Sequence, residues 1–314
     1  MLIRCFSRVK EKHPLVMCFA NIVTANGCAN LLLAAGASPV MAEDPAGAVE
    51  FTGIADALSL NTGTFFPMLR ENALAAQEVA LRRGIPVVLD PVGAGCAPSR
   101  TELVLELLRR GVSVVRCNSS EAKALLGLGA SAHGVDASPD DAVTEDSLDR
   151  AVSDVRALAA RYGCVMAVTG AIDLVGAPDG HVMVIRGGHE IMAKITGSGC
   201  MLSALTAANV GAEPKFQFEA TAAALAAYGV CGTLAAESLK PGEGCGTFGV
   251  RLFDAMDLLD VTALHERLDY EFRQASIPQT LRRYRRIARA RGPRAPRHRG
   301  RRDLHSAPRE MRLV

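Results

Sequence analysis

Short apolar runs alternate with helix-length amphipathic ones through most of this chain, and that alternation limits the fold more than any other feature. Residues 15–20, 38–42, 57–61, 86–90, 113–117 and 165–169 read as strands of five or six residues. Between them, helical patterns run from Thr24, placed as a cap, to near Gly36, and over 46–55, 66–83 (stopped by Gly84), 98–110, 119–126 and 147–162. A hairpin of 172–175 with 181–186 is predicted around Pro178-Asp179-Gly180. From Ser198 onward the last third reads as all-helical, with 216–238 rich in alanine. Such β-α alternation predicts an α/β fold with a mainly parallel sheet and helices on both faces.

Ligands in folds of this kind sit beyond the carboxyl ends of the strands. Asp90, Arg116, Asn118, Thr169 and the turn Thr196-Gly197-Ser198-Gly199-Cys200 all fall at such ends. The turn is informative in itself. Its glycines let the backbone approach a ligand, and the helix it opens presents unpaired N–H groups and a dipole suited to phosphate. The same dipole is expected to favour the thiolate of Cys200, making it a base or nucleophile. Asp90 ends an apolar strand before the Pro91-Val92-Gly93-Ala94-Gly95 turn, where it either helps to hold magnesium or caps the loop. Asn118-Ser119-Ser120-Glu121 admits a plainer reading, with Ser119 or Ser120 capping a helix that carries Glu121 in its first turn. There is no Gly-x4-Gly-Lys-Ser/Thr loop.

Charge is unevenly placed. Residues 279–314 hold 13 arginines against Asp303 and Glu310, a balance of +11; taken from the total of +2, this leaves −9 on the rest. The body is acidic, and the tail reads as a disordered extension. Its single aromatic residue, Tyr284, argues against nucleic-acid binding. The nine cysteines include no Cys-x-x-Cys pair and no metal-ligand spacing, as expected of reduced thiols filling a cytoplasmic protein's core. The N-terminus lacks the hydrophobic region and cleavage site of a signal peptide. No apolar run of about 18 residues escapes polar breaks, so no membrane span is expected.

From about Pro14 to about Leu268 the chain resembles the hydroxyethylthiazole kinases, thiamine-salvage enzymes of the ribokinase-like superfamily. The resemblance rests on Pro14-Leu15-Val16, Asn21, Ala37-Ser38-Pro39-Val40-Met41-Ala42, Asn61-Thr62-Gly63-Thr64 and Leu89-Asp90-Pro91-Val92-Gly93-Ala94-Gly95. It continues through Asn118-x-x-Glu121, Gly134-Val135-Asp136, Ala167-Val168-Thr169-Gly170 and Thr196-Gly197-Ser198-Gly199-Cys200, in that order. Most ribokinase-like enzymes carry aspartate where Cys200 stands.

The resemblance implies a three-layer ribokinase-like domain over residues 1–272 and a separate Arg-rich tail over 273–314. It implies phosphorylation of the hydroxyl of 4-methyl-5-(2-hydroxyethyl)thiazole, with ATP as co-substrate and Mg2+ as cofactor. Met41, Gly197 and Asn21 would bind the thiazole, Arg116 and Thr169 the ATP phosphates, and Asp90 and Glu121 the magnesium. Cys200 would act on the substrate hydroxyl. A homotrimer with its active sites at subunit interfaces is expected. Three positions depart from the family pattern: Met17 for histidine, Cys117 for glycine and Ala171 for glutamate. Of these, Cys117 is expected to crowd the nucleotide phosphates. The alternatives are another small-alcohol kinase, of the hydroxymethylpyrimidine type, an ATP-dependent dehydratase of the same fold, and a non-catalytic relative.

Overall fold

The computed structural model describes residues 1–42, 44–63, 68–127 and 142–275. Thr64, Gly134-Val135-Asp136 and the tail beyond Ala275 therefore lie outside the described residues. Nine strands form one sheet in the order β2-β1-β3-β4-β5-β6-β7-β8-β9. They are β1 (Leu15–Phe19), β2 (Ser38–Val40), β3 (Ala57–Asn61), β4 (Val87–Asp90), β5 (Val114–Asn118), β6 (Val165–Thr169), β7 (Ile172–Gly176), β8 (Val182–Arg186) and β9 (Asp269–Arg273). The first six pair in parallel, and β6 through β9 pair antiparallel. The expected mainly parallel α/β sheet is what the chain forms.

Strand parity divides the core in two. Val16, Cys18, Ala57, Val88, Val114, Val165 and Ala167 point to one face, and Met17, Leu58, Leu60, Leu89, Val115, Cys117, Met166 and Val168 to the other. The first face is covered by α1 (Leu2–Lys12), α2 (Ala25–Ala34), α8 (Ser198–Ala212), α9 (Gln217–Glu237), α10 (Cys245–Leu258) and α11 (Val261–Arg267). The second is covered by α3 (Pro45–Thr52), α4 (Leu69–Arg83), α5 (Pro98–Arg110), α6 (Ser119–Leu126) and α7 (Leu148–Tyr162). Alanines at 220, 222, 223, 224, 226 and 227 are buried in α9, where their small side chains let it lie close to α8 and the sheet. By length and composition α9 is apolar enough to cross a membrane, contrary to the sequence expectation, but most of it is buried inside this fold.

Two elements depart from the sequence reading. Residues 2–12, to which the sequence reading assigns no element, form a helix. Leu2, Cys5, Phe6 and Val9 bury one stripe against the first core, and Arg8 pairs with Glu213. The all-helical final third is overturned by β9, an exposed edge strand of five residues in which Tyr270 and Phe272 alternate with charged side chains. Arg273 is its last residue, and the compact unit runs to Ala275.

Candidate active site

The parity that divides the core also builds a polar row. Asn61, Asp90, Arg116 and Thr169 lie at or near the carboxyl ends of the adjacent strands β3, β4, β5 and β6. Each is in phase with the residues facing α8. Asn61 pairs in register with Asp90. Asn61 Nδ2 and Ser203 Oγ, from the second turn of α8, each donate to Asp90 Oδ2 at 2.8 Å. Asp90 Oδ1 is buried without a hydrogen bond, and Arg116 Nη1 stands 3.8 Å from it. Arg116 Nη2 donates to the Thr169 hydroxyl, which donates to the Cys117 carbonyl.

The N-terminus of α8 sits over this row. Gly197, the N-cap, has φ +79°, a conformation that L side chains rarely adopt. A Cβ there would come within 2.7 Å of Thr24 Cβ and closer to its methyl. Gly199 lies against the Arg116 guanidinium: a Cβ would be 2.7 Å from Nη2 and 2.9 Å from Cζ. No side chain caps the first-turn amides, and no acidic residue occupies that turn. Uncapped amides and a guanidinium in one place have the chemistry that suits an anion.

Cys200 corrects the expectation of a thiolate. Burial pushes its thiol from 9.0 up to about 11, with Asp90 adding to the shift and Arg116, Asn61 and Thr24 opposing it. The helix dipole contributes at most about 2 kcal/mol at a partly buried site, whereas a rise of that size corresponds to roughly 3 kcal/mol. Burial wins, and Cys200 is a protonated thiol at neutral pH.

Asn118 and Glu121 form a capping box at the start of α6. Asn118 Oδ1 accepts from the Glu121 N–H, and Glu121 Oε2 accepts from the Asn118 N–H, at 2.8 and 2.9 Å. The cap is therefore Asn118, neither Ser119 nor Ser120. Glu121 Oε1 also accepts from the Gly93 N–H at 3.3 Å, tying the turn after β4 to the end of β5. Burial raises both Asp90 and Glu121, and for Glu121 the charge on Asp90 adds to the effect. Arg116 is kept charged by both carboxylates, against the effect of its own burial.

Among the described residues no three His, Cys, Asp or Glu side chains cluster as a metal cage. Two buried carboxylates, one with a bare oxygen, instead suit a hard cation that brings phosphate and water ligands with it. Asp90 Oδ1 fits this best, since both Glu121 oxygens already accept backbone N–H groups.

Asn21 follows β1 and Asn61 ends β3, on the two sides of the switch in strand order where crevices open in such sheets. The Asn21 carbonyl accepts from the Thr24 N–H and hydroxyl. Thr24 is the N-cap of α2, but its hydroxyl turns back to Asn21 instead of capping the helix. Met41, just after β2, is half-buried against the first core.

The family departures are placed as follows. Met17 is fully buried apolar filling. Cys117 points into the second core, opposite to Arg116, so it does not crowd the face where the sequence reading puts the phosphates. Ala171 is exposed in the β6–β7 turn. Two residues on, Asp173 Oδ1 accepts from the Gly170 N–H at 2.9 Å. Asn61, as a partner of Asp90, and Ser203 were missed by sequence reasoning. Their available signal was spacing: Asn61 ends β3 as Asp90 ends β4, and Ser203 lies one helical turn after Gly199.

Residues 6–262 match the model of the hydroxyethylthiazole kinase family. The chain is 41% identical over 270 residues to the hydroxyethylthiazole kinase of Desulfovibrio desulfuricans, covering 83% of this chain and 94% of that protein. It is 40% identical over 273 residues to the hydroxyethylthiazole kinase of Clostridium acetobutylicum, covering 86% and 99%. The solved hydroxyethylthiazole kinase of Pyrococcus horikoshii superposes with a TM-score of 0.76 at 34% identity, covering 87% of this chain and 99% of that one.

Proposed function

The chain belongs to the hydroxyethylthiazole kinase family, and from that premise we propose that it transfers the γ-phosphoryl group of ATP to the primary alcohol of 4-methyl-5-(2-hydroxyethyl)thiazole. The observation that carries this reading is the α8 turn, with its neutral thiol, seated over Asp90 and Arg116. Phosphoryl transfer asks a protein for position and charge stabilisation more than for covalent chemistry. The Gly197–Cys200 amides and the Arg116 guanidinium supply both for the γ-phosphate. Thr169 fixes Arg116 and faces the same phosphates.

Mg2+ is the proposed cofactor, and when bound with ATP it would neutralise and orient the phosphates. Asp90 would hold it through Oδ1, with Glu121 acting on its water shell. Met41, Asn21 and the Gly197 backbone line the thiazole end. Cys200, as a thiol, orients the alcohol oxygen for in-line attack on the γ-phosphorus. The O–P bond to ADP breaks as the new one forms, and the alcohol proton leaves to water late in the step.

The proposed assembly is a homotrimer with sites at the interfaces. Exposed Ile22 and Val23, beside Asn21, support a partner surface there. The proposed catalytic unit ends near β9, leaving the Arg-rich tail as an extension that catalysis in the cytoplasm does not need.

The test is ATP- and Mg2+-dependent phosphorylation of the thiazole with hydroxymethylpyrimidine in competition, together with light scattering for mass. Thiazole-selective product is expected, and a chain lacking residues 276–314 is expected to keep it. Absence of product from the folded full chain would reject the kinase reading in favour of a non-catalytic relative.

A further inference from the structure

Asp90 is hydrogen-bonded through one oxygen, while the other meets only the longer-range charge of Arg116. Oδ2 takes two hydrogen bonds, from Asn61 and from Ser203, both at 2.8 Å. Oδ1 takes none, although it is buried. Arg116 Nη1, at 3.8 Å, attracts it but lies beyond hydrogen-bond reach. A carboxylate has nearly two-fold freedom about its last torsion, and two donors converging on the same oxygen remove that freedom.

The donors are themselves fixed. Asn61 Oδ1 accepts from the Gly63 N–H at 2.8 Å, which turns the Nδ2 end of the amide toward Asp90. Ser203 has one proton and two acceptors within reach, Asp90 Oδ2 at 2.8 Å and the Gly199 carbonyl at 3.3 Å, and the shorter, charged one takes it. The three residues come from β3, β4 and α8, so their meeting also sets how far the α8 turn stands above the sheet.

A purely structural aspartate, buried with donors at hand, would satisfy both oxygens. Here one is saturated and the other left bare beside the anion cradle. We infer that Asn61 and Ser203 are positioning residues: they commit Oδ2 and present Oδ1, fixed in direction, to the cation and its waters at the γ-phosphate. The inference rests on the kinase reading for the identity of what Oδ1 faces. The geometry assigns the work of orientation to an amide and a hydroxyl that carry no charge of their own.

The test compares Ser203→Ala and Asn61→Ala with the wild type. Steady-state kinetics give kcat and the two KM values, and electron paramagnetic resonance gives the affinity of Mn2+ for the enzyme–ADP complex without turnover. Thr206→Ala is the control, since it deletes a buried hydroxyl that donates to the Leu202 carbonyl in the same helix. Each test variant is expected to lower kcat at least tenfold and to weaken Mn2+ by a similar factor. The KM for thiazole should stay within about twofold, and the control should change neither quantity.

Unchanged Mn2+ affinity in a folded variant, or equal losses in Thr206→Ala, would overturn the inference. Should one variant fail to fold, the other decides. A wild type that binds Mn2+–ADP but does not phosphorylate the thiazole would reject the function, while the Mn2+ comparison would still judge the positioning.

Discussion

Replacing Gly199 with alanine separates the cradle from the fold. A Cβ at 199 would lie 2.7 Å from Arg116 Nη2 and 2.9 Å from Cζ, and closer still to Nη1. Carbon contacts are comfortable at about 3.5 Å or more, so the guanidinium or the start of α8 must give way by roughly 1 Å. Arg116 has little room to retreat, being held by Thr169 on one side and attracted by Asp90 on another, with Nε buried. For stability the change is close to balanced, because alanine gains about 1 kcal/mol over glycine in a helix and the clash offsets that gain. For the reaction it is not balanced, since a 1 Å misplacement costs about a hundredfold, equivalent to roughly 2.7 kcal/mol of barrier. The assay is kcat/KM for ATP beside a thermal melt. A loss of about two orders of magnitude is expected, with a melting temperature within a few degrees of wild type. In the Gly199→Ala/Arg116→Ala double variant the glycine change should add little, because the group it displaces is gone. Kinetics within about threefold of wild type in the single variant would refute the placement of Arg116 in the phosphate cradle.

Cys200→Ser should weaken turnover by about tenfold without abolishing it, because a protonated thiol contributes orientation and not proton abstraction; complete loss in a folded variant would show a larger role. Burial also predicts that Cys200 is alkylated more slowly at pH 8 than exposed Cys245, which peptide mass spectrometry can time. Burial raises Asp173 from 3.8 to about 6, so its ionisation opposes folding: stability is lost as pH rises from about 4 through 6. The loss is at most about 3 kcal/mol, and less because the residue is only half-buried. Asp173→Asn keeps an acceptor for the Gly170 N–H and should remove this pH dependence in urea unfolding followed from pH 4 to pH 7. Cys117→Gly, which restores the family's usual residue, should cost about 2 kcal/mol of stability through an emptied core site and a glycine in a strand, while the KM for ATP stays unchanged.

Much of the site was legible because strand parity is a local property. Asp90, Arg116 and Thr169 could be placed at strand ends from their apolar neighbours alone, and the same parity would have shown Cys117 facing away from Arg116. What escaped depends on distant parts of the chain meeting. The Asn61–Asp90–Ser203 junction joins β3, β4 and α8 across more than 110 residues of sequence. The helix over 2–12 was hidden by its basic residues, and β9 by an edge strand's exposure. Cys200 was misread because a helix start is visible in sequence, whereas the burial that outweighs its dipole is not.

That burial changes where the site's chemistry resides. With Cys200 neutral, the titratable groups at its centre are two carboxyls, Asp90 and Glu121, against the one guanidinium of Arg116; full ionisation would leave a deficit of one positive charge, which the raised carboxyls meet by holding protons. A third carboxylate in place of the thiol would enlarge that deficit inside a low-dielectric pocket, where each unpaired charge is costly. A neutral thiol avoids the added charge and, in the proposed reaction, still reaches the alcohol. The remaining deficit is of the sign and place to attract a divalent cation, whose arrival would lower both raised carboxylates and complete the cradle for the γ-phosphate. Cation binding should therefore release protons near neutral pH. Calorimetric titration of Mg2+ in buffers of different ionisation enthalpy measures that release, and a heat independent of buffer would mean that Asp90 and Glu121 are already fully ionised before the cation arrives.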